Sequence, residues 1–316
     1  MVNPIYIIAV LLGTAFLLGL FKKQQRGFVG ILSLVALAFA FFISASWFLR
    51  FALGQQEVLQ IFTGGAKPPF SINLQMGIEE ALFTMVINLL GVMGFIYLYR
   101  DFREQGIKGA VIFLVLVMAM NVLIMSRDIF NLFVFLEVVS IATAGLLYLK
   151  KDFNSSVAGF KYLIALGVIS SFLLIGIGFF YLHSGTLNID TYLQSNHTTI
   201  KGISMALFLI IMAILLELKP FPANGWALDV YQAAHPGISA MISSGTATAS
   251  IFLLYKLLPL SSDNWMPFLI VIGIVSFVGS NILGIAQQNS NRLLGYSSIG
   301  QIGLMLVILG LAPRLG

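Results

Sequence analysis

Leu216-Glu217-Leu218-Lys219-Pro220-Phe221-Pro222-Ala223-Asn224-Gly225-Trp226 follows an apolar run from Met205 to Leu216 and precedes another long apolar segment. Two charges and two prolines within six residues do not make ordinary helix in lipid. Pro220 and Pro222 each lack an N–H and crowd the preceding turn, so a helix has to break or end there. Broken backbone at membrane depth is tolerated only where protein or water satisfies the freed carbonyls. Ionisable groups beside such a break are candidates for an ion pathway. The competing reading is a short cytoplasmic loop in which Lys219 is a simple flanking charge.

Composition sets the frame around this stretch. The chain has 316 residues, of which 59% are apolar and 9% charged, against roughly 25% charged in ordinary globular proteins. Runs of about 18 or more apolar residues recur throughout, which predicts an all-α, polytopic membrane protein with no room for a soluble catalytic domain. The net charge of +5 belongs to loop ends and membrane-surface anchoring, and nucleic acid is not an expected partner. Cysteine is absent, which excludes disulfides, thiolate metal sites and cysteine-bound iron–sulfur clusters. The first apolar run, Pro4 to Leu20, has no basic residue before it and Lys22, Lys23 and Arg26 after it, so no cleavable signal peptide is expected.

Hydropathy predicts ten spans, at about 4–21, 28–49, 74–98, 107–125, 128–148, 157–183, 203–219, 235–258, 265–286 and 292–312. Gly64-Gly65-Ala66-Lys67-Pro68-Pro69, in the long connection before the third span, is turn material. The connections after the odd-numbered spans carry ten of the seventeen basic residues, among them the Lys22-Lys23, Arg100/Arg103 and Lys150-Lys151 clusters. The opposite side carries six, and Lys161 lies inside span six. The positive-inside bias therefore puts both termini on the outer side.

Five ionisable residues stand out inside or beside the spans. Glu137 is eleven residues from Tyr148, about 16 Å into a hydrocarbon core of about 30 Å. Its stem is too short to snorkel, so it is protonated, hydrated or paired, as a proton-relay group has to be; a neutral packing Glu is the alternative. Lys161 lies about one turn into span six, where its stem can also reach the surface. Glu217 and Lys219 close span seven, with Lys219 about 24 Å deep if the helix is straight. His235 opens span eight, as a structural hydrogen-bonder or as a shuttle. His183 and His197 are too scattered for a metal site, and no cofactor motif is present.

Asp128-Ile129-Phe130-Asn131-Leu132-Phe133-Val134-Phe135-Leu136-Glu137, Phe160-Lys161-Tyr162, Gly185-Thr186-Leu187-Asn188, Asp229-Val230-Tyr231-Gln232-Ala233 and Asn291-Arg292-Leu293-Leu294-Gly295-Tyr296-Ser297-Ser298-Ile299-Gly300-Gln301 occur in this order. With these motifs the chain resembles, over roughly residues 70 to 312, an antiporter-like subunit of the complex I superfamily. That superfamily holds the proton-channel subunits of NADH:quinone oxidoreductase, the Mrp-type antiporters and the membrane arms of energy-converting hydrogenases; the motifs look most like chain N of the first. The resemblance implies a broken seventh helix facing a hydrated axis, with Pro220 and Pro222 as the break. It also implies proton movement between Glu137, Glu217 and Lys219, with Lys161 and His235 as secondary candidates, driven by redox chemistry elsewhere.

By the same resemblance the chain is not catalytic alone and holds no cofactor. Its partners are other membrane subunits of a complex I-like or Mrp-like assembly, in a plasma or energy-transducing membrane. Alternatives are an Mrp-type sodium/proton antiporter module, or a degenerate structural subunit whose ion path is closed. Helices 1–3 are expected over 1–106, a first repeat of helices 4–8 over 107–258, and the start of a second, inverted repeat over 259–316. Three departures stand against the family pattern. Glu217 occupies the seventh-helix Lys position, with Lys219 displaced by two. Ala247, followed by Thr248, stands at the eighth-helix Lys position, and Asn224 replaces the His after the break. The chain also ends after ten spans where the family has about fourteen helices, as expected of a split product, of a truncated one or of a shortened form whose partner chain supplies the remaining helices.

Overall fold

Lipid offers no partner to a backbone N–H or C=O, and a helix satisfies both within its own segment. The computed structural model is accordingly helical along most of its length and describes residues 2–20, 26–66, 68, 70–150, 152–195, 201–261 and 265–315. Lys22, Lys23, Lys67, Lys151 and His197 lie outside the described residues. Among the described residues, eight helices are long and apolar enough to cross a membrane, and two shorter apolar ones coincide with the expected first and seventh spans. The protein is a multi-pass, mostly all-α membrane protein.

The chain divides into two units, residues 1–149 with 240–249 and residues 150–239 with 250–316. The first contains α1 (Ile5–Gly19), α2 (Arg26–Ala52), α3 (Ile78–Gln105), α4 (Ile107–Met125) and α5 (Ile129–Tyr148). Helix α4 is its core, with every residue from Phe113 to Met125 buried except Val115. Asn88 of α3 and Asn121 of α4, both fully buried, exchange two amide hydrogen bonds of 3.0 Å each. Each supplies the partner that hydrocarbon cannot, so the pair fixes the register of the two helices. Helices α3 and α4 are joined through Gly106 alone, at φ 90, a backbone conformation that glycine adopts without steric cost.

One element departs from the all-helical expectation. Leu59–Phe62 (β1) and Asn73–Met76 (β2) form an antiparallel hairpin, with Leu59 opposite Met76. The third span was expected from residue 74, and its helix begins instead at Ile78. The strand is fixed by pairing across the glycine-rich turn, a long-range contact that a local hydropathy window does not register.

The second unit contains α6 (Phe153–Ser184), α7 (Ile189–Gln194), α8 (Lys201–Glu217), α9 (Gly225–Ala233), α12 (Trp265–Ile285) and α13 (Ser290–Leu315). A further run comprises α10 (Pro236–Ala240), one wide π turn (Met241–Thr246) and α11 (Ala247–Leu257); its residues 240–249 belong to the first unit. Helices α12 and α13 pack backbone to backbone, since a Cβ on Gly273 would meet the Gly303 carbonyl at 2.6 Å. Close approach through small residues is how helices associate in lipid, where there is no hydrophobic drive between them.

Candidate functional site

Helix α8 stops where the prolines dictate. Its last turn tightens, with the N–H of Leu218 donating to the carbonyls of Ile214 and Leu215 and that of Lys219 to Leu216. Pro220 then has no N–H with which to continue. Residues 218–224 are not helical, and helix resumes at Gly225.

Lys219 occupies this gap at φ 59 and is 3% exposed. A left-handed conformation costs a side-chain-bearing residue about 1–2 kcal/mol, so the surroundings overrule local preference at this residue. Strain of this kind gathers at functional sites. Glu217, 8% exposed, is two residues away. The freed N–H of Phe221 donates to the buried hydroxyl of Ser276 on α12 at 3.0 Å. The Phe221 ring lies over Gly279, where a Cβ would come within 2.8 Å of it. Asn224, at the end of the gap, is 4% exposed, and its Nδ2 has no hydrogen-bond partner among the described residues.

Helix α9 is held by its neighbours. The Trp226 ring lies 5.6 Å from that of Tyr162 on α6. Lys161 Nζ sits 2.6 Å from Asp229 Oδ2, and Arg292 Nη1 of α13 sits 3.5 Å from Asp229 Oδ1. Arg292 also donates to Gln232 Oε1 at 3.0 Å. The Tyr231 hydroxyl is 3.2 Å from that of Ser298. The carbonyl of Ala233 accepts from Lys150 Nζ at 2.9 Å and from Ser155 Oγ at 3.0 Å. Lys161 is thus half exposed and paired with Asp229.

An open pocket of about 460 Å³ runs beside this cluster and is lined by Lys150, Asp152, Lys161, Asp229, Gln232 and Asn289, among others. Asp152 caps α6 by accepting from the Ser155 N–H at 2.6 Å. Ser155 first and Lys150 second hold its carboxyl down at about 2. The Ser155 hydroxyl has one proton and two acceptors within reach, Asp152 and the Ala233 carbonyl, so the N–H bond and Lys150 are the firmer causes.

In the first unit, Glu137 lies mid-helix in α5, eleven residues before Tyr148. Asp128 caps this helix, accepting from the Asn131 N–H at 2.8 Å. Burial pushes the Asp128 carboxyl up, against the N–H bonds from Asn131 and Phe130. His235, just after α9, has its Nδ1 3.3 Å from the Gly237 N–H. Glu217, Lys219, Lys161 and His235 all belong to the second unit, Glu137 to the first. Three charged or polar features went unassigned in the sequence: Asp229, the Asn88–Asn121 pair, and Lys256, buried with its Nζ 5.1 Å from the Phe252 ring. Asp229 had a usable signal, as one of only twelve acids and the sole acid between two helix breaks.

Residues 126–314, covering α5, the break and α13, match the model of the NADH:quinone oxidoreductase/Mrp antiporter transmembrane family. The chain belongs to this family. It is 33% identical over 247 residues to the chloroplastic NAD(P)H-quinone oxidoreductase subunit 2 of Mesostigma viride, covering 75% of this chain and 48% of that one. Among solved structures, a chain of the membrane-bound sulfane sulfur reductase, an archaeal respiratory membrane complex, superposes with a TM-score of 0.89 at 29% identity, covering 98% of this chain and 65% of that one. A chain of the Mrp complex from Dietzia sp. DQ12-45-1b also gives 0.89, at 19% identity, over 98% of this chain and 58% of that one. That second likeness is one of fold. The chain spans about half the length of the curated relatives it matches.

Proposed function

We propose that this protein is an ion-translocating, antiporter-like membrane subunit of a complex I-related, redox-driven assembly, and that the ion is a proton. The observation that carries this reading is Lys219: a buried lysine in a strained backbone conformation, at a gap between two helices, in a chain of this family. In this reading α8 and α9 are the two halves of one interrupted seventh helix. Glu137, Glu217 and Lys219 are each groups that take up and release the proton, with His235 as a secondary member. Lys161 acts through Asp229. Buried carboxylates and ammonium groups that change partners can pass a proton along. The basic face lies inside and both termini outside.

The partners are the other membrane subunits of that assembly. The test is Glu137→Gln in the assembled complex, with proton uptake measured in membrane vesicles. Uptake is expected to fall at least tenfold while assembly persists. Wild-type uptake would remove Glu137 from the pathway.

A second reading has one specific observation behind it. Ala247 is buried at the position where the resemblance places a lysine, and no ionisable residue lies between Pro236 and Tyr255. This favours a scaffolding subunit with a closed path. Normal pumping with Glu137 and Lys219 both neutralised would decide for it.

A further inference from the structure

Isolated helices shorter than about 12–15 residues are marginal in water, and α9 has nine. What holds it comes from α6 and α13, and the hold centres on Asp229, the only acid in the helix. Asp229 lies five residues beyond Asn224, about 7–8 Å along the axis from the gap that carries Lys219. Two cations face it, Lys161 from α6 and Arg292 from α13. Lys150 and Asp152, before α6, line the same pocket, and His235 follows α9 in sequence.

Lys161, Asp229 and Arg292 are each about a third or more exposed, and pairs of that exposure contribute about 0–1 kcal/mol to stability. Their energetic value as staples is therefore small. Their field is not: a unit charge about 10 Å away shifts a proton equilibrium by about one pH unit at an effective dielectric near 20.

We propose that Asp229 is a positioning residue for the ion at the break, setting, with Lys161, how tightly the gap around Lys219 retains a proton. This rests on the reading of Lys219 as a relay group. Asp229 contributes negative potential and favours the protonated gap; Lys161 contributes positive potential and opposes it. The pocket keeps this pair open to solution, so the setting responds to the aqueous side.

The experiment measures proton uptake against pH in membrane vesicles containing the intact assembly. Asp229→Asn is expected to lower the midpoint by about one pH unit, a tenfold loss of proton affinity. Lys161→Met is expected to raise it by a similar amount, and Asp229→Glu to restore the native midpoint. Opposite signs are the deciding feature, because a purely mechanical clamp is weakened by either neutralisation and moves both midpoints together or neither. Either of those results overturns the proposal. If Asp229→Asn does not assemble, Lys161→Met decides alone: a raised midpoint supports the proposal and an unmoved one overturns it. Lys219→Met separates the two levels. Wild-type uptake in that variant overturns the relay reading and this proposal with it, whereas lost uptake with unmoved midpoints in the other variants overturns only the role of Asp229.

Discussion

Gly106 and Lys219 both take positive φ between consecutive helices, and they do so for opposite reasons. Gly106 joins α3 to α4 in one residue, at a conformation that any side chain would strain. There the sequence and the backbone agree, and the joint is architecture. At Lys219 a four-carbon cation occupies a conformation that glycine would fill without strain, and it is buried there. Seven residues, two prolines and a borrowed hydroxyl from Ser276 are needed to accommodate it. The relay role proposed for Lys219 accounts for this disagreement between residue and backbone.

The comparison can be broken directly. Lys219→Met is expected to lower proton uptake at least tenfold in the assembled complex while leaving insertion intact; unchanged uptake would make the two joints equivalent. Gly106→Ala is expected to destabilise by about 1–3 kcal/mol, the cost of forcing a side chain into that region, with uptake per assembled molecule unaltered. Thermal unfolding of the purified complex and vesicle uptake together check it. Ser276→Ala removes the acceptor for the Phe221 N–H and is expected to cost about 1 kcal/mol by the same unfolding measurement. The smallest effect sharpens the contrast most. Lys219→Gly is expected to stabilise by about 0.5–1 kcal/mol as the left-handed strain is relieved, yet to pump no better than Lys219→Met.

The end of α8 was legible because two prolines in close succession, Pro220 and Pro222, both lack the N–H that would continue it. The fifth span was expected from Asp128, the residue that caps α5, whereas the sixth was expected from 157 and its helix starts at Phe153, behind the Asp152 cap. The hairpin was not legible, because Leu59 and Met76 are seventeen residues apart and only pairing makes either a strand. Nor was the partner of Lys161. Asp229 lies sixty-eight residues away, and nothing local distinguishes a lysine that snorkels from one that meets a carboxylate on another helix.

What the sequence by itself determined is therefore the solvent and the punctuation: a chain this apolar folds in lipid, is helical there, and has stopped being helical by Pro220. The family, too, was written in the order of its motifs. Tertiary structure alone decided which charges meet. Helix α9 is met by Lys150 and Ser155 at its last carbonyl, by Lys161 and Arg292 at Asp229 and by the Tyr162 ring at Trp226, all from other segments. The same packing puts Lys219 at positive φ and lends Phe221 the hydroxyl of Ser276. The physical reason is range. Helix propensity and proline act over one turn, whereas an ion pair or a borrowed hydroxyl depends on two segments being brought within 3 Å, and only the folded chain does that.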